Sequence, residues 1–237
     1  MNSQSQPLPL RVDIISDVVC PWCIIGFKQL SKALDSLPGL FDVEFHWHPF
    51  ELNPGMPLEG QDLREHLAEK YGSSQQKSSG ARERLVALGD SLGFTFNYDR
   101  GLRMVNTFSA HQLLHWAGEQ GLQTELKLAL FTAFFTDGAD VSNVNVLVSI
   151  AVDVGLSGQQ ASDVLAEQRY AKQVRAEQQL WSEQDIYSVP VFLFNQKYSV
   201  PGAQDSETFT RYLKKIIEKE SDSIGKTANT DDSGKVG

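Results

Sequence analysis

Strand-like patterning in this chain is confined to its two ends, and a long block of helical periodicity lies between them. Leu10–Ser16 (LRVDIIS) is a short apolar, β-branched run. Phe41–Phe50 alternates Val43, Phe45 and Trp47 against Asp42, Glu44, His46 and His48. Between these two runs, Ile24, Phe27, Leu30, Ala33, Leu34 and Leu37 recur at helical spacing and stop at Pro38-Gly39. The opening therefore predicts β-α-β, with Cys20 where strand gives way to helix. A strand pattern returns at Val189–Val200, broken by Asn195-Gln196 as a hairpin turn, and Asp205–Lys219 reads as a closing helix.

From about Glu59 to Asp185 the apolar period is that of helices. Leu63, Leu67 and Tyr71 form one stripe, and Leu85, Leu88 and Leu92 another. Further helices are predicted over Phe108–Gly121, Thr124–Thr136 and Ser142–Gly155. Ser157 with Gln160 forms a capping box for the next one. The narrow stripe of Ala171, Val174, Gln178 and Trp181 predicts a helix lying on the surface. The expected organisation is one α/β domain in two parts, residues 8–58 and 186–220, separated by an inserted helical domain over 59–185. Residues 221–237, rich in Ser, Asp, Gly, Thr and Lys, read as a disordered tail.

The 237 residues can bury a core without covalent staples, and the chain has only two cysteines, Cys20 and Cys23, three apart. A pair so spaced is read as redox or metal chemistry before scaffolding. At the first turn of a helix, Cys20 meets unpaired N–H groups and the positive end of the helix dipole. Both favour a thiolate, so its pKa is expected below the ordinary thiol value. Pro21 suits the next position because its φ is preset and its missing N–H had no partner there. Cys23 falls one turn on, within reach of a disulfide with Cys20. The expected division is that Cys20 attacks a partner disulfide and Cys23 resolves the mixed disulfide. Trp22 adds no charge and offers an apolar ring to a substrate.

Zinc is the competing use of such a pair, with His46 and His48 as further ligands. Their two-residue spacing on a strand does not match the usual His-x3-5-His pattern, and the half-buried strand reading is preferred. His111 and His115 are four apart on a helix, but residue 112 is Gln where a zinc protease needs its Glu, so they are read as structural. No metal is expected. A formal charge of -9 disfavours nucleic acid as a partner, and no run approaches the roughly 18 apolar residues of a membrane span. MNSQSQPLPL lacks the features of a secretory signal, which leaves the cytoplasm as the expected compartment.

SDVVCPWCIIGFKQL near the start and SVPVFLFNQKYSVPGAQ near the end resemble the DsbA-type branch of the thioredoxin superfamily, most closely its FrnE-like subgroup. HPFELNPGMPLEG, NTFSAH (Asn106–His111) and LFTAFFTDGADV extend the resemblance over nearly the whole chain. It implies a thioredoxin-like fold, a central mixed sheet flanked by helices, with a large helical insertion. It also implies that Val189-Pro190 carries a cis bond facing the cysteine pair, with the Val189 backbone offered to substrate. Substrate contacts are thus expected at Pro21, Trp22, Val189 and Pro190, and the partners are protein or small-molecule thiols and disulfides. No cofactor is expected beyond the cysteine pair, with glutathione as a possible co-substrate. Reduction and isomerisation stand beside oxidation as the direction. Kappa-class glutathione transferases and chromene-carboxylate isomerases share this architecture, but they typically place Ser where this chain has Cys20; they are the alternative. Oligomeric state and the roles of Asn106 and His111 stay open.

Overall fold

The computed structural model describes residues 6–57, 59–72, 75–98 and 101–230. Leu8–Ser16 forms β1, Pro21–Asp35 α1 and Phe41–Pro49 β2. The intervening block contains Gln61–Asp62 (β3), Leu63–Tyr71 (α2), Gln75–Ser91 (α3), Arg103–Met104 (β4), Phe108–Glu119 (α4), Gln123–Phe135 (α5), Val144–Asp153 (α6), Gly158–Ala166 (α7) and Ala171–Glu183 (α8). Val191–Phe194 (β5), Tyr198–Pro201 (β6) and Ser206–Thr230 (α9) complete the chain.

The mixed four-stranded sheet runs β2-β1-β5-β6, with β1 parallel to β2 and antiparallel to β5, and β5 antiparallel to β6. It is the thioredoxin-like architecture expected. Paired on both sides, β1 buries Leu10, Val12, Ile14 and Ile15, which is why it reads as a continuous apolar run rather than an alternation. The β5–β6 hairpin turns at Asn195 and Gln196, both at positive φ (49° and 55°), the geometry that suits the right-handed twist of the strands it joins. Asn195 also bonds Arg11 of β1 through its amide and its side chain, at 2.8 and 3.0 Å.

The short β3–β4 ladder inside the helical block was not foreseen; two residues per strand are too few to show a period. Asn143, not Ser142, caps α6, accepting from Asn145 and Val146 N–H. Ser157 caps α7 by accepting from Gln160 N–H at 3.4 Å. On α8, Val174 and Trp181 are buried, as the narrow stripe predicts. The last helix runs past Lys219 through residues 221–230, which composition reads as a tail. Its first turns are anchored by buried Phe209, Leu213 and Ile216, and each added residue then gains a hydrogen bond on an existing helix. Residues 231–237 of that segment lie outside the described residues.

One apolar core continues from the sheet into the helices. Phe27, Trp47 and Phe131 pack in tilted and edge-to-face contacts along it, with ring centroids 5.1 and 6.2 Å apart. Gln123 of α5 covers the outer edge of β2 in the manner of a strand, accepting from Trp47 N–H at 2.9 Å and donating to Trp47 C=O at 3.0 Å. The helical block is thereby held against the sheet beside the end of β1.

Candidate active site

The chain leaves β1 at Ser16 and turns at residues 17–20, with Cys20 N–H donating to Asp17 C=O at 3.2 Å. Cys20 is the N-cap of α1 (φ -94°, ψ 111°) and Pro21 opens the helix. Both cysteines are free thiols; Cys20 is 3% exposed and Cys23 0%. Trp22 is 48% exposed and stands beside them at the surface. From the far end of the sequence, the cis Val189-Pro190 bond precedes β5, and the Cys20 Sγ lies 3.8 Å from Val189 C=O. The structure therefore gathers Cys20, Pro21, Trp22, Cys23, Val189 and Pro190 at one place, as the resemblance implies. A cavity of about 610 Å³ opens against Cys20 and Val189, with Leu67, Leu85 and Phe134 among its walls.

The expectation for thiol acidity is corrected for the reduced pair. The hydrogen bond Cys20 shares with Cys23, and its burial, push the Cys20 thiol well above the ordinary value; the Cys23 and Asp17 charges add to this, and only the Cys23 amide opposes it. Helix position alone therefore does not set the acidity of Cys20.

Behind the pair lies a buried polar cluster that the sequence reading missed. Asp17, 1% exposed, accepts from Leu52 N–H at 2.8 Å and faces His111 Nε2 at 3.4 Å. Burial pushes the Asp17 carboxyl up, but His111, the Leu52 amide and Lys127 outweigh it and hold it below its ordinary value. Lys127 of α5, 1% exposed, donates to Ser16 C=O at 3.4 Å, with its ammonium 5.4 and 5.1 Å from the Trp47 and Phe131 ring centres. Burial pushes Lys127 down to about 8, against the upward pull of Cys23, Asp17 and Cys20. The signals were present: an acid three residues before Cys20, and one Lys inside the apolar run LKLALF. Nothing local distinguishes such a Lys from one on a solvated face.

Two of the histidines, His48 and His115, share the Glu177 carboxylate. His48 bonds Asp13 at 2.8 Å and Glu177 at 3.1 Å, and His115 bonds Glu177 at 3.1 Å, while His46 pairs with Glu44 at 3.1 Å. No group of three or more His, Cys, Asp or Glu able to hold a metal occurs among the described residues. Asn106 accepts from Phe108 N–H at 2.9 Å and so starts α4, the helix that carries His111. No helix among the described residues is long and apolar enough to cross a membrane.

The model of the DSBA-like thioredoxin domain family matches residues 11–214. The probable DsbA oxidoreductase SCO1869 from Streptomyces coelicolor is similar at 34% identity and TM-score 0.82, covering 87% of this chain and 89% of that one. The uncharacterized protein YwbO of Bacillus subtilis (strain 168) is 27% identical over 207 residues, 87% of this chain and 96% of that relative. The cytosolic disulfide reductase DsbM from Pseudomonas aeruginosa, solved with GSH, shares the fold at 14% identity and TM-score 0.60, covering 88% of this chain and 99% of that one. With this sheet, this cysteine pair and a match over most of its length, the chain belongs to the DSBA-like thioredoxin domain family and is a disulfide oxidoreductase or isomerase.

Proposed function

We propose that the protein exchanges disulfides with protein or small-molecule substrates through Cys20 as nucleophile and Cys23 as resolving thiol, as a FrnE-like member of the family. The observation that carries this is the Cys20 Sγ at the N-cap of α1, 3.8 Å from Val189 C=O. When substrate is reduced, the Cys20 thiolate attacks one sulfur of the substrate disulfide; a Cys20–substrate bond forms and the other sulfur leaves as thiolate. Cys23 then loses its proton and attacks Cys20, a second substrate thiolate departs, and two electrons have passed from the pair to the substrate. Oxidation is the same sequence reversed. The Val189 backbone pairs with an extended substrate, while Pro21 and Trp22 border its path.

The reading includes a cytoplasmic setting and no cofactor beyond the cysteine pair. Glutathione serves as co-substrate for recycling; the cavity beside Cys20 has room for a tripeptide, and the similarly folded DsbM was solved with GSH. Non-reducing gels of Cys23→Ser and Cys20→Ser proteins test the roles. Cys23→Ser should accumulate mixed disulfides and Cys20→Ser should form none. Equal trapping by both would refute the assignment, and glutathione conjugation without disulfide exchange would favour a transferase or isomerase.

A further inference from the structure

Among the described residues lining the cavity beside Cys20 there is one acid, Glu51, two residues past the end of β2. Its side chain is 2% exposed, and its two oxygens are held differently. Oε2 accepts from Arg175 and from Gln178 Nε2, the latter at 3.1 Å, both on α8. Oε1 is buried and has no hydrogen-bond partner among the described residues. A buried carboxylate oxygen without a donor carries the full cost of its lost hydration, so a ligand that supplies an N–H gains what the fold leaves unmade.

A second observation says what kind of donor fits. Arg175 is 49% exposed and also donates to Gln178 Oε1 at 2.8 Å, so water screens its charge while the carboxylate it faces is shielded. The basic groups in the same wall are engaged elsewhere. Lys70 donates to Leu52 C=O and Asn53 Oδ1 at 2.9 and 2.7 Å, His66 bonds Gln61 at 2.8 Å, and Arg82 has a partner of its own. Much of the remaining wall is apolar, as at Leu67, Leu85 and Phe134, and a charge-assisted bond formed there is stronger than one in water.

We propose that this cavity admits a low-molecular-weight disulfide bearing an ammonium group, whose sulfur meets Cys20 while its N–H donates to Glu51 Oε1. The inference rests on the disulfide-exchange reading and names the small-molecule substrate class for it. The Cys20 thiolate bonds one sulfur of the aminoalkyl disulfide, and the other half leaves as an aminothiolate. Cys23 loses its proton and attacks Cys20, the second aminothiolate departs, and two electrons have passed from the cysteine pair to the substrate. Glu51 exchanges neither proton nor electron in these steps. It selects, by charge, which small disulfide is held against the sulfur.

The test compares cystamine, its longer-armed homologue and the hydroxyl analogue of each as substrates of the reduced protein. Assays run at about 0.2 M salt, where distant charges are screened. Each rate is divided by that of a small free thiol, which removes intrinsic reactivity. At one arm length at least, the wild-type protein should favour the amine over the hydroxyl analogue about tenfold in kcat/KM. Glu51→Gln should bring that ratio to within about twofold of unity. The ratio is internal to each protein, so a general loss of activity in the variant cancels. A wild-type ratio near one, or a ratio unchanged by Glu51→Gln, would overturn the proposal. Should the variant not fold, sulfur-free diamines of matching length should inhibit the wild-type protein competitively about tenfold better than the corresponding diols, and equal inhibition would overturn it. If none of the four disulfides exchanges, the disulfide-exchange reading itself fails. Diamine binding followed by NMR then decides the Glu51 site separately: binding in preference to the diol upholds it, and no preference overturns it.

Discussion

Replacing Glu177 with Gln probes the attachment of α8 to the sheet. The carboxylate bridges His48 and His115, each at 3.1 Å, and His48 is bonded on its other nitrogen to buried Asp13 at 2.8 Å. Burial opposes the charge on Glu177, but the two imidazoles outweigh it and hold the carboxyl near 2 instead of 4.5. That difference corresponds to about 3 kcal/mol. The side chain is 28% exposed, and screening there reduces the expected contribution to about 1–2 kcal/mol. The sign of the pH dependence follows from both partners. A carboxyl held low stabilises the fold above its ordinary 4.5, and this is lost as pH falls through about 2. His48 is held above its ordinary 6.5 because Asp13 and Glu177 outweigh its burial, so its contribution is full below 6.5 and is lost as pH rises through the raised value. The network is therefore strongest between about 4.5 and 6.5.

Urea unfolding followed by tryptophan fluorescence should show Glu177→Gln costing about 1–2 kcal/mol at pH 5.5, or about 3–6 °C in Tm. At pH 9 the cost should fall to half or less. Thiol ionisation at the higher pH affects both proteins and cancels in the difference. An equal cost at the two pH values would refute the ion-pair reasoning. The consequence reaches the cysteines, because Arg175 on the same helix grips Glu51, next to the Leu52 whose amide holds Asp17.

Two further outcomes are expected. In Gly26→Ala the new methyl would lie 2.9 Å from Phe192 Cζ and 3.3 Å from Ala203 Cα, and Phe192 is fully buried against Phe209, so overpacking should exceed the gain in helix propensity and destabilise by about 1 kcal/mol. Urea titration checks this, and a stabilised variant would show that α1 and β5 have room to part. Trp22→Ala, at a 48% exposed position, should change stability by no more than about 0.5 kcal/mol while raising KM for peptide disulfides about three- to tenfold. Steady-state assays with a peptide and a small aliphatic disulfide decide it; an equal effect on both would remove Trp22 from substrate binding.

Much of the fold was legible because its signals are local. Pro21 at the first turn of α1, the helical stripe that follows and the Asn195-Gln196 turn each depend on neighbours within a few residues. Cys20 and Cys23 were legible for the same reason: a disulfide across one helical turn needs only the right spacing. Pro190 needed the family resemblance, since the 169 residues separating Cys20 from Val189 carry no local trace of their contact.

What the sequence determined by itself is most of the longer elements and the reactive pair, through periodicity, capping and spacing, which act over one or two turns. The tertiary structure alone decided the environment of that pair. Lys127 sits 111 residues from the Ser16 carbonyl it bonds, and Glu177 sits 129 residues from His48. On its own helix each reads as an ordinary polar residue. Only when α4, α5 and α8 close over the end of β1 is water removed around them. Burial and charge then act on each group at distances of a few ångströms, and those are set by packing rather than by position in the chain.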